Sequence, residues 1–236
     1  MDKISYSLFY TAKNYTQLQE ISNKGLQTVH SWLCTNRLSL NMDKTHFLIF
    51  NKKQTTTNIQ LRLGNYNINQ ENCTKYLGII IQDNLKWNKQ INNIINKLNR
   101  LIPLFYILRN TLSIEKKKMV FKALALSQIN YAIELYGRKN STWIKQLQIT
   151  QNRLLKILFH KNHMINTTLL HQELDMLKVL EHTQLRLILY IYDNRTKYIN
   201  QRLYTLRNQL NIEVNHYTFN FIMYFVLLSY IYIILV

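Results

Sequence analysis

The spacing of apolar residues changes at Lys86, and this change is the feature that most constrains the fold. Before Lys86, apolar residues come in short pulses such as Leu38–Leu40 and Phe47–Phe50, which is typical of half-buried strands. After it, they recur every three or four residues, the period of an amphipathic helix. The recurring residues are Trp87, Ile91, Ile94, Ile95, Leu98, Leu101, Ile102 and Phe105. The sequence therefore predicts an α+β region followed by a helical bundle.

The first region is predicted to contain one helix packed on a small antiparallel sheet. Thr16 begins the helix, with Gln19 completing a capping box three residues later. The helix is expected to pack on a strand pair formed by residues 38–40 and 47–50. The dipeptide Gly64-Asn65 tolerates positive φ and predicts a hairpin, and residues 76–81 are expected to complete the sheet.

The second region is predicted to be helical throughout. Pro103 should kink the first helix or start a new one, and Ser113 is a candidate N-cap for the next. A further apolar stripe runs from Trp143 to Leu158, and residues 169–192 are expected to form a nearly charge-balanced fourth helix.

Positive charge is concentrated in residues 86–161. The chain of 236 residues has a formal net charge of +18. Residues 86–161 hold 15 Lys and Arg against two Glu, a net charge of +13, whereas residues 1–85 carry +4 and residues 162–236 carry +1. Such a block indicates a polyanionic partner, nucleic acid first and an anionic membrane surface second. The alternative is a solvated face that only keeps the bundle soluble.

The cations of this block have a defined arrangement on the predicted helices. With about 100° per residue, four of them fall within an arc of about 80° on one face: Lys86, Lys89, Lys97 and Arg100. Four more follow Ser113, where positive charge opposes the helix dipole: Lys116, Lys117, Lys118 and Lys122. Both groups are candidate phosphate-binding residues.

Other site classes find little support. Cys34 and Cys73 lie far apart, and His160 and His163 have no cysteine nearby to complete a zinc site. Free thiols fit a reducing, intracellular location, nuclear or cytoplasmic for a soluble chain. We expect no metal or other cofactor to be held by the chain as written.

The tail, residues 218–236, differs from the rest because it has no charge and is densely apolar. As a helix it would extend about 28 Å, close to the thickness of a bilayer core. Three interpretations compete: a membrane anchor, which would make the protein membrane-associated; a buried core helix; or unselected sequence. Its β-branched and aromatic residues would also suit an aggregating strand.

Five blocks in order resemble reverse transcriptases of non-LTR retrotransposons. They are W-x-x-x-N-x-L-x-L-N-x-x-K-T from Trp32, K-Y-L-G-I from Lys75, L-x-W from Leu85, YAIELYG from Tyr131 and LQITQNRLLKIL from Leu147. The resemblance covers roughly Ser7 to Leu180.

The resemblance implies a domain organisation. Residues 1–84 would be a partial palm, residues 85–200 a thumb that holds template–primer by its phosphates, residues 201–217 a linker, and residues 218–236 the apolar tail.

It also implies roles for several residues of the palm. Lys44 would lie near the incoming triphosphate and act as a general acid on pyrophosphate; the alternative is an ordinary loop lysine. Lys75, Tyr76 and Gly78 match the block that grips the primer strand, although a glycine in a strand can equally mark a bulge.

The resembled polymerases use paired aspartates to hold two Mg²⁺ ions. In that family an aromatic-Ala-Asp-Asp turn comes just before a segment that Ser7-Leu8-Phe9 resembles. This match places Ile4 and Ser5 where the aspartates belong, and with Met1 as the first residue nothing earlier supplies a third. We therefore expect a reverse-transcriptase remnant without polymerase activity that binds RNA or DNA template–primer non-specifically. Two alternatives stay open: a membrane-anchored basic protein, and one piece of a polymerase whose catalytic part is encoded upstream. The sequence leaves the oligomeric state open.

Overall fold

The computed structural model describes residues 7–41, 44–50, 59–137 and 142–193, and the backbone of Ile231–Leu235. The chain divides into two compact units. Unit 1 comprises Met1–Lys86 with Asn211–Val236, and unit 2 comprises Trp87–Leu210. The mixed α+β composition predicted from the sequence is confirmed. The domain boundaries at residues 84, 200 and 217 stay predictions.

Unit 1 contains one long helix and short strands. Its elements are β1 (Leu8–Ala12), α1 (Tyr15–Thr35), β2 (His46–Phe50), β3 (Leu61–Leu63), β4 (Tyr66–Gln70), β5 (Cys73–Tyr76), β6 (Ile79–Gln82) and β7 (Ile231–Leu235). The five-stranded sheet has the order β1-β7-β2-β4-β3, and β5 and β6 form a separate two-stranded sheet. The larger sheet is mixed rather than antiparallel as predicted, because β2 and β4 run parallel.

Of the two local signals in unit 1, the hairpin and the capping box, only the hairpin is found in the structure. The hairpin at Gly64-Asn65 is confirmed, with Leu63 opposite Tyr66. The capping box at Thr16 is wrong: Asn14 is the N-cap of α1, and its side chain accepts the N–H of Gln17 at 2.9 Å.

The predicted strand at residues 38–40 is absent. The backbone N–H of Leu38, its first residue, instead forms a hydrogen bond that closes α1. Arg37 has a left-handed φ of 54°. The N–H of Leu38 donates to the carbonyl of Leu33 at 2.9 Å, and the N–H of Arg37 donates to that of Cys34 at 3.1 Å. These two bonds are the Schellman pattern that closes a helix. Strand β2 pairs instead with β4 and β7.

The tail was predicted to be an apolar helix, and for residues 231–235 that prediction is wrong. These residues form β7, in keeping with the β-branched composition of Ile-Tyr-Ile-Ile-Leu. Residues 218–230 and 236 lie outside the described residues. No helix in the described part of the chain is long and apolar enough to cross a membrane.

Strand β2 is buried on both faces. Phe47 and Ile49 belong to a cluster with Leu18 and Leu26 of α1. Leu48 and Phe50 form a second cluster, against which Ile81 and Leu85 pack. Side chains on both faces of β2 therefore belong to the hydrophobic clusters of unit 1.

Unit 2 is helical. Its elements are α2 (Asn88–Asn99), α3 (Ile102–Leu108), α4 (Ile114–Phe121), a π-helical segment (Lys122–Leu126), α5 (Ser127–Asn130), α6 (Ile133–Tyr136), α7 (Thr142–Leu158), α8 (Thr167–Leu174) and α9 (Val179–Asp193). One core joins them, and its fully buried members include Leu98, Phe105, Phe121, Leu147, Leu154 and Leu158.

Two helix starts in unit 2 agree with the prediction, whereas one predicted helix is divided. Pro103 lies in the first turn of a new helix, and Ser113 is the N-cap of α4, both as expected. The single helix predicted over residues 169–192 is instead α8 and α9. Asp175 adopts a left-handed φ of 53° and closes α8, where the N–H of Met176 donates to the carbonyl of His171 at 2.9 Å.

Candidate nucleic-acid interface

Helix α2 presents a basic face. Lys89, Lys97 and Arg100 are exposed. The buried side of the helix is formed by Ile91, Ile94 and Leu98. An amphipathic helix that packs one side into the core leaves the other available to a ligand.

Lys86 does not belong to this face, contrary to the prediction. Trp87 is the N-cap of α2 and has a left-handed φ of 62°, so the helix starts only at Asn88. The exposed Lys86 lies before that break and belongs to unit 1. The predicted set of four is therefore a set of three.

The second group of cations lies on α4 and at the start of the π-helical segment. Lys116 and Lys122 are exposed, whereas Lys117 and Lys118 are partly buried. The amine of Lys97 lies 3.5 Å from Oε1 of Gln128, a residue of α5, the helix that follows the π-helical segment. This contact joins the basic face of α2 to α5.

The structure adds a cation and an aromatic residue that the sequence reasoning missed. The guanidinium of Arg109 lies 5.0 Å from the ring centre of Tyr106, within the range of a cation–π contact. Tyr106 is 46% exposed. The sequence could have indicated this pair, because Tyr106 and Arg109 are three residues apart and so lie on one side of a helix.

The candidate residues of unit 1 lie in three different settings. Lys44 is exposed, and its N–H donates to the carbonyl of Asn41 at 3.2 Å. Lys75 is exposed and Tyr76 partly buried on β5. Gly78, with a φ of 84°, lies in the turn between β5 and β6 rather than in a strand as expected. Its neighbour Leu77 also has a positive φ, of 46°, so both central residues show the sign required by a type I′ turn.

A cavity of about 620 Å³ lies beside the segment that follows α1. Its walls include His30 and Cys34 of α1, Leu38 and Leu40 of the following segment, and Tyr66 of β4. The Cys34 sulfur lies 3.9 Å from Nε2 of His30. Leu38 and Leu40, which line the cavity, are exposed.

A buried polar cluster joins α7 to the α8–α9 connection. Nδ1 of His171 lies 2.8 Å from the carbonyl oxygen of Met176, and Nε2 lies 2.8 Å from Oδ1 of Asn152. Oε1 of Gln148 accepts the N–H of Val179, the first residue of α9, at 2.8 Å. Burial lowers the pKa of His171 below its ordinary value, although its hydrogen bond to the Met176 carbonyl opposes the shift. The cluster links α7 to the α8–α9 connection, and it is burial that favours the neutral imidazole.

The two Mg²⁺ ions implied by the resemblance require paired carboxylates. Ile4 and Ser5, which lie outside the described residues, carry none, so these residues do not fit a metal pair. Within the described ranges, no group of three or more His, Cys, Asp and Glu side chains is placed to hold a metal ion.

Comparison with known proteins identifies homologues for part of the chain. It is 23% identical over 153 residues to a probable RNA-directed DNA polymerase from transposon X-element of Drosophila melanogaster, which covers 64% of this chain and 17% of that protein. It is 28% identical over 89 residues to the RNA-directed DNA polymerase from mobile element jockey of Drosophila funebris, covering 35% of this chain and 9% of that protein. The match thus spans less than a fifth of either relative. No family model and no solved structure matches the chain.

Proposed function

We propose that this chain, whose homologues are RNA-directed DNA polymerases of non-LTR retrotransposons, binds template–primer without copying it. Unit 2 would act as a thumb that holds an RNA–DNA or DNA duplex by its phosphates. Unit 1 would be the end of a palm whose paired-aspartate positions are occupied by Ile4 and Ser5.

The observation that carries the proposal is that α2 and α3 contain no acidic residue, while several of their cations are exposed. No acidic residue occurs between Asp83 and Glu115. Within that interval, Lys89, Lys97 and Arg100 lie exposed on the side of α2 that faces away from the core. Exposed cations favour phosphate binding, because each neutralised phosphate releases condensed counterions.

Other residues of unit 2 have side chains that suit a nucleic acid. The exposed ring of Tyr106 is paired with Arg109, and an aromatic face beside a cation can stack on a base or sugar. Exposed Lys116 and Lys122 add further positive charge. Phosphate contacts carry no sequence information, so we expect binding without sequence preference.

The test is a comparison of matched charge-removal variants. Lys89→Gln/Lys97→Gln/Arg100→Gln removes three cations from α2, and Lys13→Gln/Lys24→Gln/Arg62→Gln removes three exposed cations from unit 1. At about 0.1 M salt each lost phosphate contact reduces affinity by up to about 8-fold, so three contacts together account for up to about 500-fold.

We expect the α2 variant to lose at least about tenfold in affinity for a labelled RNA–DNA duplex, by an equal factor for two unrelated sequences. The unit 1 variant should lose less than about threefold. Equal losses in the two variants would contradict the assignment to unit 2. A loss that differs between the two sequences would contradict binding through phosphates alone.

A further inference from the structure

The centre of the sheet in unit 1 is filled by the far end of the chain. Strand β7 lies between β1 and β2 and runs antiparallel to both. It forms five residue pairs with β1, from Leu8 opposite Leu235 to Ala12 opposite Ile231. It forms four with β2, from Phe47 opposite Leu235 to Phe50 opposite Tyr232. Among the described strands, β1 pairs with β7 alone.

We call the space between β1 and β2 the strand slot. Without a strand in it, both neighbours would present unpaired N–H and C=O groups in the middle of the sheet. All four β2 residues that face the slot in this register, residues 47–50, are at most 8% exposed. A buried backbone group without a partner costs about 1–3 kcal/mol. A strand that pairs in the slot therefore stabilises the sheet, and β7 does so in the antiparallel direction.

Nothing in the pairing requires the strand to come from the same copy of the chain. The 37 residues 194–230 separate the end of α9 from β7. A connection of that length reaches at most about 120 Å. A second copy offers the same slot and the same strand, so the register pairs are identical in cis and in trans. Exchange of an identical element between copies is a low-cost route to dimers because no new interface has to be created.

We propose that the C-terminal strand is exchangeable, and that β7 of one copy can fill the strand slot of a second copy. In the exchanged dimer β7 retains its position between β1 and β2, as an added strand in β-augmentation does. Because a tethered strand competes at an effective concentration that does not depend on protein concentration, the exchanged form should increase with protein concentration.

Register-specific disulfides in the full-length chain provide the test. Directly opposed residues of antiparallel strands have Cα atoms about 4.5–5.5 Å apart, within the span of a disulfide. In a Cys34→Ser/Cys73→Ser background, one tagged chain carries Thr11→Cys and a second, differently tagged chain carries Tyr232→Cys, its register partner. The two chains are expressed together and oxidised after lysis. A mismatched mixture, Thr11→Cys with Ile234→Cys, is the control.

The matched pair is repeated with Tyr10→Cys and Ile233→Cys, because neighbouring pairs alternate between the two antiparallel geometries. A single chain carrying both Thr11→Cys and Tyr232→Cys tests whether β7 occupies the strand slot of its own chain.

We expect the double variant to close an intramolecular disulfide. We also expect the matched mixtures to yield at least about fivefold more disulfide-linked heterodimer than the mismatched mixture, in an amount that increases with expression level. Cis closure without matched heterodimer would show that the strand occupies the slot but is not exchanged, which overturns the proposal. Equal yields from matched and mismatched mixtures, or no disulfide in any arrangement, would overturn it as well, because β7 would then not pair in this register.

Discussion

Acid should destabilise unit 2 through two buried histidines. His171 and His182 are 4% and 8% exposed. Burial lowers the pKa of each imidazole below its ordinary value of 6.5. For His182 the carboxylate of Glu181 opposes the shift and the guanidinium of Arg186 adds to it. The folded unit therefore holds both residues neutral at a pH where the unfolded chain protonates them.

The sign of the effect follows from this difference. The stability that comes from keeping the imidazoles neutral is fully present above pH 6.5, the pKa in the unfolded chain. It decreases as the pH falls below 6.5 towards the lower pKa of the folded state. Each histidine contributes a slope of up to about 1.4 kcal/mol per pH unit in that range, and the two together up to about 2.7 kcal/mol. Carboxylates titrate mostly below pH 5 and contribute little between pH 7.5 and 5.5.

The assay is urea unfolding between pH 7.5 and 5.5, followed by tryptophan fluorescence. Trp87 and Trp143 pack against the core of unit 2, and a Trp32→Phe background removes the signal of unit 1. We expect the free energy of unfolding to decrease below pH 6.5, His171→Gln or His182→Gln to reduce the slope, and the double variant to abolish most of it. A free energy that is constant or increases on acidification would refute the reasoning.

Three further predictions concern single features. Tyr136→Phe removes the buried hydroxyl that donates to the carbonyl of Ile129 and should lower the free energy of unfolding by about 1–3 kcal/mol; a loss below about 0.3 kcal/mol in urea unfolding would contradict it. Leu77→Asn should stabilise the β5–β6 hairpin by about 0.5–1 kcal/mol, because asparagine tolerates the φ of 46° better than leucine, and a lower midpoint of unfolding would speak against that turn geometry. The purified chain should not extend a primer with Mg²⁺ or Mn²⁺, because Ile4 and Ser5 supply no carboxylates, and incorporation above a control without protein would disprove this.

The helices of unit 2 could be predicted because their signals are local. Apolar residues of α2 and α7 recur at helical spacing, and Pro103 and Ser113 mark helix starts by their own chemistry. The basic face of α2 follows from the same spacing, and Lys89, Lys97 and Arg100 are exposed where it indicates.

Three of the errors arise where a non-glycine residue adopts a left-handed conformation. Arg37, Trp87 and Asp175 all have positive φ, and each marks a helix boundary. Because most residues avoid this region, residue type gives little warning of it. The break at Trp87 removed Lys86 from the predicted face, and the break at Asp175 divided one predicted helix into two.

The position of β7 in the sheet could not be predicted from the sequence for a different reason. A strand composition can be read from Ile231–Leu235, but its partners are Leu8–Ala12 and His46–Phe50 near the other end of the chain. Pairing over such a separation leaves no periodic signal within a sequence window. The apolar tail therefore suggested a helix from length alone.

The measurement that tests phosphate binding by unit 2 most directly is the salt dependence of duplex affinity. The dissociation constant of a labelled RNA–DNA duplex is determined from 50 to 300 mM salt for the unaltered chain and for Lys89→Gln/Lys97→Gln/Arg100→Gln. Each phosphate contact contributes roughly 0.9 to the slope of log K against log salt. We expect the variant to have a slope shallower by up to about 2.7, whereas Lys13→Gln/Lys24→Gln/Arg62→Gln leaves it unchanged. Equal slopes for the unaltered chain and the α2 variant would contradict the account, because these three cations would then contact no phosphate.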